Sequence, residues 1–470
     1  MSKNFYAERI FRHQNVTGSF FLYKVHFPSG KEVEFFFEAG AKQGEKDIGD
    51  YNGFIPVEAS NLSFGIISHT HFDHIGLLPV LIRQGFKGPI FTSYPASKLL
   101  EIGLQDSAKI VDKNLERTIA VQEEVEQTLS QVVGAPYKKK IKPHKNITVT
   151  FFMNGHLIGA VLTLITITYS NEDPIYIVHS GDYKSSNMFF NVEQPQEAIR
   201  NLPISNFVIE STYGDVDSSN IKFKKCLKNN TLEALNNGFT VVYPTFSLGR
   251  HQEALYLIKL WQKQELIPAD TKIIVDGKSA QAYNYLIKFS DLGVKPGMNN
   301  FMPQNTISIP RNFERKAIRA KVLKSSAPKI ILSPGGMGSY GPITYYIQNL
   351  AFRDDVLIHS LGYSSPDSTM YKILRAKYGE TIKYNGLDVT IKCQTAQTCE
   401  LSAHDPRDKL LKLIESFPET HSVSINHGDL EIQKSFWHYL NDHLLIPSSQ
   451  ITTSEQNSIR IFAKGIEILN

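Results

Sequence analysis

Phe64-Gly65-Ile66-Ile67-Ser68-His69-Thr70-His71-Phe72-Asp73-His74-Ile75-Gly76 is the stretch that decides the architecture. Residues 64–68 read as a buried strand and residues 77–83 as an apolar helix, so the polar cluster falls on a strand-to-helix turn. Four ligand-type side chains occur there within six residues. Such a turn can aim His69 and His71 one way and Asp73 and His74 another, the arrangement a pair of metal ions needs. Packed without a cation, the cluster would leave several buried polar groups without partners. Isolated histidines such as His13, His26 and His438 carry no such pattern and read as packing or surface residues.

Four residues do not close two metal sites, and the remaining ligands must come from other strand ends facing the same edge. Three candidates follow apolar runs beside glycine: His156 in Asn154-Gly155-His156, Asp182 in Ser180-Gly181-Asp182, and His427 in Asn426-His427-Gly428.

Working outward, short apolar runs at 34–37, 64–67, 147–152, 176–178 and 207–209 read as strands. From about residue 240 the rhythm becomes strand then helix: 241–243 before 252–261, 273–275 before 280–289, and 330–332 before 342–350. Strand character returns near 386–400, followed by a His-bearing loop, a helix at 409–415, a strand at 423–425 and a helix at 430–440. The pattern is an α/β unit inserted in a larger α/β fold, with segments 1–214, 215–385 and 386–470.

At 470 residues the chain is long enough for two well-buried domains. With 41% hydrophobic and 20% charged residues it is neither a disordered nor a membrane composition. The start lacks a basic-then-apolar signal segment, and the most apolar stretch, 161–169, is short and Thr-rich like a strand. The three cysteines, Cys226, Cys393 and Cys399, form no close pair, which argues against a disulfide framework or a cysteine zinc site and fits a reducing cytoplasm. The net charge of +4 is too mild to establish a polyanionic partner. Two clusters are more basic: Arg311, Arg315, Lys316, Arg319, Lys321, Lys324 and Lys329 against Glu314 alone, and Lys138, Lys139, Lys140, Lys142 and Lys145. Each reads either as a solvated face or as a phosphate-tracking rim.

These residues resemble the metallo-β-lactamase superfamily, and specifically its β-CASP nuclease branch, over roughly residues 38 to 430. Beyond the HxHxDH run, Glu210-Ser211-Thr212-Tyr213-Gly214 resembles the acidic motif of the branch. Ser402-Ala403-His404 and His427-Gly428 resemble two further motifs. Pro244-Thr245-Phe246-Ser247-Leu248-Gly249-Arg250 and Ser333-Pro334-Gly335-Gly336-Met337 are similar to strand-end loops of its inserted cap. In style the chain is similar to cleavage-and-polyadenylation endonuclease subunits and short prokaryotic relatives.

The resemblance implies an αββα sandwich with an inserted α/β β-CASP cap. It implies one zinc held by His69, His71 and His156, a second by Asp73, His74 and His427, and Asp182 bridging both. Two Zn²⁺, two carboxylates and a bridging hydroxide leave a small positive charge to meet a phosphate. That hydroxide is the expected nucleophile, since metal binding lowers the pKa of water from 15.7 to about 7. His404 is the implied general acid for the leaving 3′ oxygen, oriented and raised in pKa by Glu210. Arg250, Gly335 and Gly336, at cap strand ends, read either as phosphate contacts or as loop chemistry, and Arg315, Arg319 and Lys324 as the rim.

The chain departs from the pattern at Glu38, where the family usually has a supporting Asp, at Asn154 and Asp405, where it usually has alanine, and in the loop around Tyr363, which lacks the second glycine usual there. The leading expectation is a zinc-dependent phosphodiesterase cleaving RNA or single-stranded DNA to 5′-phosphate and 3′-hydroxyl ends. Its partners would be a single-stranded RNA, with a homodimer built from the two domains and no membrane. The alternatives are a small-molecule ester, lactone or thioester hydrolase, or a catalytically silent binding subunit.

Overall fold

Residues 32–37 show how the first unit is layered. Phe35 and Phe37 point into one buried core and Phe36 into another, because successive strand side chains face opposite sides of the sheet. The computed structural model describes all residues except 1–3, 13–16, 43–47, 108–110, 113–116, 193–195, 221–225, 363, 365–367, 399 and 470. His13, Cys399 and Tyr363, singled out in the sequence, lie outside the described residues.

The chain divides into two units, Met1–Asn220 with His404–Asn470, and Ile221–Ala403. The described residues of the first unit form two large mixed sheets, of eight and seven strands, and helices cover both outer faces. Phe21, Tyr23, Phe35, Phe37 and Phe64 of the first sheet meet Ile147, Val149, Phe151, Ile165 and Ile177 of the second in one apolar layer. Leu78–Arg83 and its neighbours cover the first sheet, while Arg407–Glu415 and Leu430–His443 cover the second. This is the αββα sandwich that the family resemblance implies.

In the second sheet, Ile147–Met153 and Ile175–His179 are each antiparallel to Val161–Ile167, which lies between them. Asn206–Glu210 is parallel to Ile175–His179, and Val423–Asn426 is parallel to Asn206–Glu210. Four strands therefore end at one edge, and Glu210 and the turns bearing His156, Asp182 and His427 lie there. In the first sheet, Glu32–Phe37 runs parallel to Leu62–Ile66, which brings Glu38 beside the start of the His69 run.

The second unit holds a six-stranded parallel sheet ordered Thr306–Ser308, Lys272–Val275, Lys329–Pro334, Thr240–Thr245, Val356–Ser360, Gln394–Gln397. Its strands alternate with helices, the inserted α/β unit read from the sequence. One boundary is corrected. Residues 386–403 belong here, because Leu387–Ile391 forms a hairpin with Glu380–Tyr384 and Gln394–Gln397 pairs with Val356–Ser360. Local strand character was legible in that stretch, but the partner of each strand was not. No helix among the described residues is long and apolar enough to cross a membrane.

Candidate metal centre

Asp73 and His74 lie in a single helical turn, Phe72–Ile75, that follows the strand Leu62–Ile66. Its carbonyls are tied to the neighbouring strand end, since Ala39 N–H donates to His74 O and Ser19 N–H to Asp73 O. The ligand run is thereby fixed by main chain from both sides. Of the seven candidate ligands, His69, His74, His156, Asp182 and His427 are buried, and His71 and Asp73 are half-buried.

Asp182 organises the rest. Its Oδ2 lies 3.5 Å from His69 Nε2 and 3.6 Å from His156 Nε2. Its Oδ1 lies 3.4 Å from both His74 Nε2 and His427 Nε2. His71 Nδ1 is 3.0 Å from His156 Nε2. Asp73 Oδ2 is 3.6 Å from His427 Nε2 and 3.9 Å from His74 Nε2, and those two nitrogens are 3.3 Å apart. One carboxylate thus presents a separate oxygen to each of two donor groups.

The spacing fits divalent cations. Four donors at tetrahedral corners about 2.1 Å from a zinc ion stand roughly 3.4 Å from one another, close to the separations here. His69 Nε2 and Asp182 Oδ1 are buried without a hydrogen-bond partner, which a cation between the donors would satisfy. His69, His71, His156 and Asp182 form one group able to hold an ion, and Asp73, His74 and His427 another.

The outer nitrogens of these imidazoles are also engaged. Ser68 Oγ is 2.9 Å from His69 Nδ1, Thr212 Oγ1 is 3.1 Å from His427 Nδ1, and Glu38 Oε1 is 3.4 Å from His74 Nδ1. Such contacts fix tautomer and ring orientation. Glu38 also accepts the Ser68 N–H with both oxygens, at 3.2 and 3.3 Å. The Glu38 carboxylate thus touches both the His74 ring and the main chain leading into His69. Ser68 and Thr212 received no role from the sequence, although both stand inside quoted motifs; hydroxyls next to ligand runs were the available signal.

Burial holds His69 well below the usual histidine range and His71 at about 4, both in the neutral form that ligates a cation. Burial also presses on His74, but Asp182, Glu38 and Asp73 together lift it well above its ordinary value. Asp182, despite burial, is held well below the carboxylate range by His427, His74 and His69.

Beside this cluster, His404 Nδ1 is 2.8 Å from both oxygens of Glu210. Glu210 accepts further bonds from the Tyr183 and Thr212 N–H groups. The His404 ring lies 4.9 Å from that of His156 and 5.9 Å from that of His427, centroid to centroid. Asp405 accepts the Ser185 N–H at 2.7 Å and donates its own N–H to Tyr183 O.

The residues read as substrate contacts fare differently. Arg250 is buried, ion-paired with Glu253 at 2.5 Å and donating to Leu401 O. Arg319 donates to Asp276 at 2.6 Å beneath the ring of Tyr345. Lys329 is buried against Thr240 and Ser325. Arg315, Lys316, Lys321 and Lys324 are exposed. Gly335 has a φ of +116°, and a Cβ there would lie 2.1 Å from Tyr340 O, while Gly336 lies against the Phe246 ring. Gly335 is thus required by local packing, while a Cβ at Gly336 would press at 3.1 Å on the side chain of Phe246. The lysines of 138–145 lie on or beside the edge strand Lys140–His144, where charge discourages pairing with another sheet.

No family model matches the chain. It is 25% identical over 411 residues to cleavage and polyadenylation specificity factor subunit 3-II of Arabidopsis thaliana, covering 85% of this chain and 64% of that protein. It is 25% identical over 381 residues to transcription termination factor FttA of Methanocaldococcus jannaschii, covering 77% and 58%. It is 24% identical over 435 residues to Ribonuclease TTHA0252 of Thermus thermophilus, covering 89% and 92%. The chain therefore spans about three fifths of the first two relatives. Its motifs, its layered first unit with an inserted parallel α/β unit, and these relatives all support the resemblance to the metallo-β-lactamase superfamily and its β-CASP branch.

Proposed function

We propose that this protein is a two-zinc ribonuclease that cleaves phosphodiester bonds in single-stranded RNA. The observation that carries the reading is Asp182, whose two oxygens face two separate donor sets with the His404–Glu210 pair alongside. His69, His71 and His156 would hold one ion, Asp73, His74 and His427 the other, with Asp182 between them. When bound, such an ion pair supplies Lewis acidity to an anionic oxygen and makes water acidic near neutral pH. The protein supplies the rest of the chemistry. Water attacks phosphorus and loses a proton to solvent, the bond to the 3′ oxygen breaks, and His404 gives a proton to that leaving oxygen. Glu210 occupies Nδ1 of His404, which leaves Nε2 as the nitrogen for transfer. The products are a 5′-phosphate and a 3′-hydroxyl.

Relatives named as a polyadenylation factor subunit, a transcription termination factor and a ribonuclease support RNA over a small ester as substrate. A homodimer is the assembly in which we expect the protein to act. The test is an assay of purified protein on end-labelled RNA, the same sequence as DNA, and a panel of esters and lactones, alongside elemental analysis. RNA cleavage abolished by a chelator, with two zinc ions per chain, is the expected result. Ester turnover without RNA cleavage, or protein reproducibly free of zinc under metal-replete expression, would overturn it.

A further inference from the structure

We propose that Asn154 is a positioning residue of the metal centre, setting the separation between the turn that carries His156 and the turn that carries Asp182. The inference rests on the reading of those two residues as metal ligands. The turns do not follow neighbouring strands. Val161–Ile167 lies between Ile147–Met153 and Ile175–His179, so the two ligand-bearing turns begin two strand spacings apart, roughly 9.6 Å. Something must span the end of the central strand.

The Asn154 side chain does so. Its Nδ2 donates to Ser180 O at 3.0 Å and to Asp182 O at 2.9 Å, and its Oδ1 accepts the His156 N–H at 3.1 Å. It is 1% exposed, so these bonds form away from competing water. An amide is the group this geometry requires, since it offers two donors and an acceptor on one short stem. Aspartate would turn the two donors into an acceptor facing two carbonyls, and leucine would offer no polar atom.

The Asp182 turn is packed closely and held on its other side, where Ser180 N–H donates to Val208 O and Tyr183 N–H to Glu210, so Asn154 is what ties it to the His156 turn. Gly181 has a φ of +57°, and a Cβ there would come within 2.9 Å of Val161 O and 3.1 Å of the Ser68 side chain. Because Asp182 addresses both donor sets, a shift of its main chain by a few tenths of an ångström moves Oδ1 and Oδ2 relative to both. A separate link, Gly155 N–H to Lys184 O at 2.7 Å, remains when the Asn154 side chain is removed. Its loss therefore loosens the site without releasing the strands.

The experiment uses the chain of residues 1–470 stripped of metal by chelation. Zinc is returned in competition with a chromophoric chelator, Co²⁺ binding is followed by its visible absorption spectrum, and the melting temperature is recorded without metal. Asn154→Ala and Asn154→Asp are expected to weaken zinc binding by about 10- to 100-fold, in the range of supporting residues in other metal sites. They should also change the Co²⁺ spectrum while the metal-free melting temperature moves little. Asn154→Ser, which keeps one donor, should fall between and serves if Asn154→Ala does not fold. Zinc affinity and Co²⁺ spectra like the unaltered protein's would overturn the proposal, as would a loss of affinity matched by an equal loss of metal-free stability. Unaltered protein that binds no zinc would instead bring down the metal reading, and this inference with it.

Discussion

Glu38 and His427 each close a strand in the left-handed region, with φ of 63° and 49°. For residues other than glycine that conformation costs on the order of 1–3 kcal/mol and persists where surroundings over-determine it. Both are so determined here. Glu38 N–H donates to Ile66 O and its carboxylate holds the Ser68 N–H, while Thr212 Oγ1 faces both the ring and the carbonyl of His427. At the same scale, His404→Ala should lower the rate of RNA cleavage by roughly 10²-fold or more, with zinc content by elemental analysis unchanged. Single-turnover rates near those of the unaltered protein would remove His404 from proton transfer. The seven ligand-type residues were legible because each stands at a strand end, four of them in one run. Partners such as Ser68 and Thr212 were not, because a hydroxyl beside a histidine is common and only distance shows its use.

The helix Arg315–Lys324 shows why a charge run does not predict the use of its members. Arg319 faces inward to Asp276, which also accepts the Tyr346 hydroxyl at 2.8 Å, whereas Arg315, Lys321 and Lys324 are exposed. Removing Arg319 leaves the buried Asp276 carboxylate with the Tyr346 hydroxyl but without its cation, so Arg319→Ala should destabilise the protein by about 1–3 kcal/mol in urea unfolding. Joint neutralisation of Arg315, Lys321 and Lys324 should leave stability nearly unchanged and flatten the salt dependence of RNA binding, by about 0.7 in log–log slope for each phosphate no longer neutralised. An unaltered slope would assign the exposed part of the helix to solvation. Composition placed these charges on one element. The helical turn then sorted them into a half-buried strut and a solvated face, a sorting set by which sheet end the helix packs against.

At the scale of the whole molecule, buried histidines outside the metal centre tie stability to pH, two of them in the second unit. His251 and His359 are fully buried in the second unit, and burial lowers them to about 3 and about 4. Folded, they stay neutral; unfolded, they bind protons near pH 6.5. The stability they contribute is therefore present above pH 6.5 and is lost as pH falls from there toward 4. Each should cost on the order of 2 kcal/mol between pH 7 and pH 5. His359→Phe should flatten that part of the urea-derived stability profile, and an unchanged slope would remove His359 as its source. The sequence by itself determined the alternating strands, the strand-then-helix insert and the residue types able to bind metal, because these follow from local periodicity and from motif spacing. Only the tertiary structure decided that His74 and His427, 353 positions apart, share one oxygen of Asp182 while His69 and His156 share the other. It also decided that Arg250 and Arg319 are spent on internal ion pairs. The reason is physical: strand order and crossover connections determine which chain ends meet at an edge, and a local pattern carries no record of the partner it will find there.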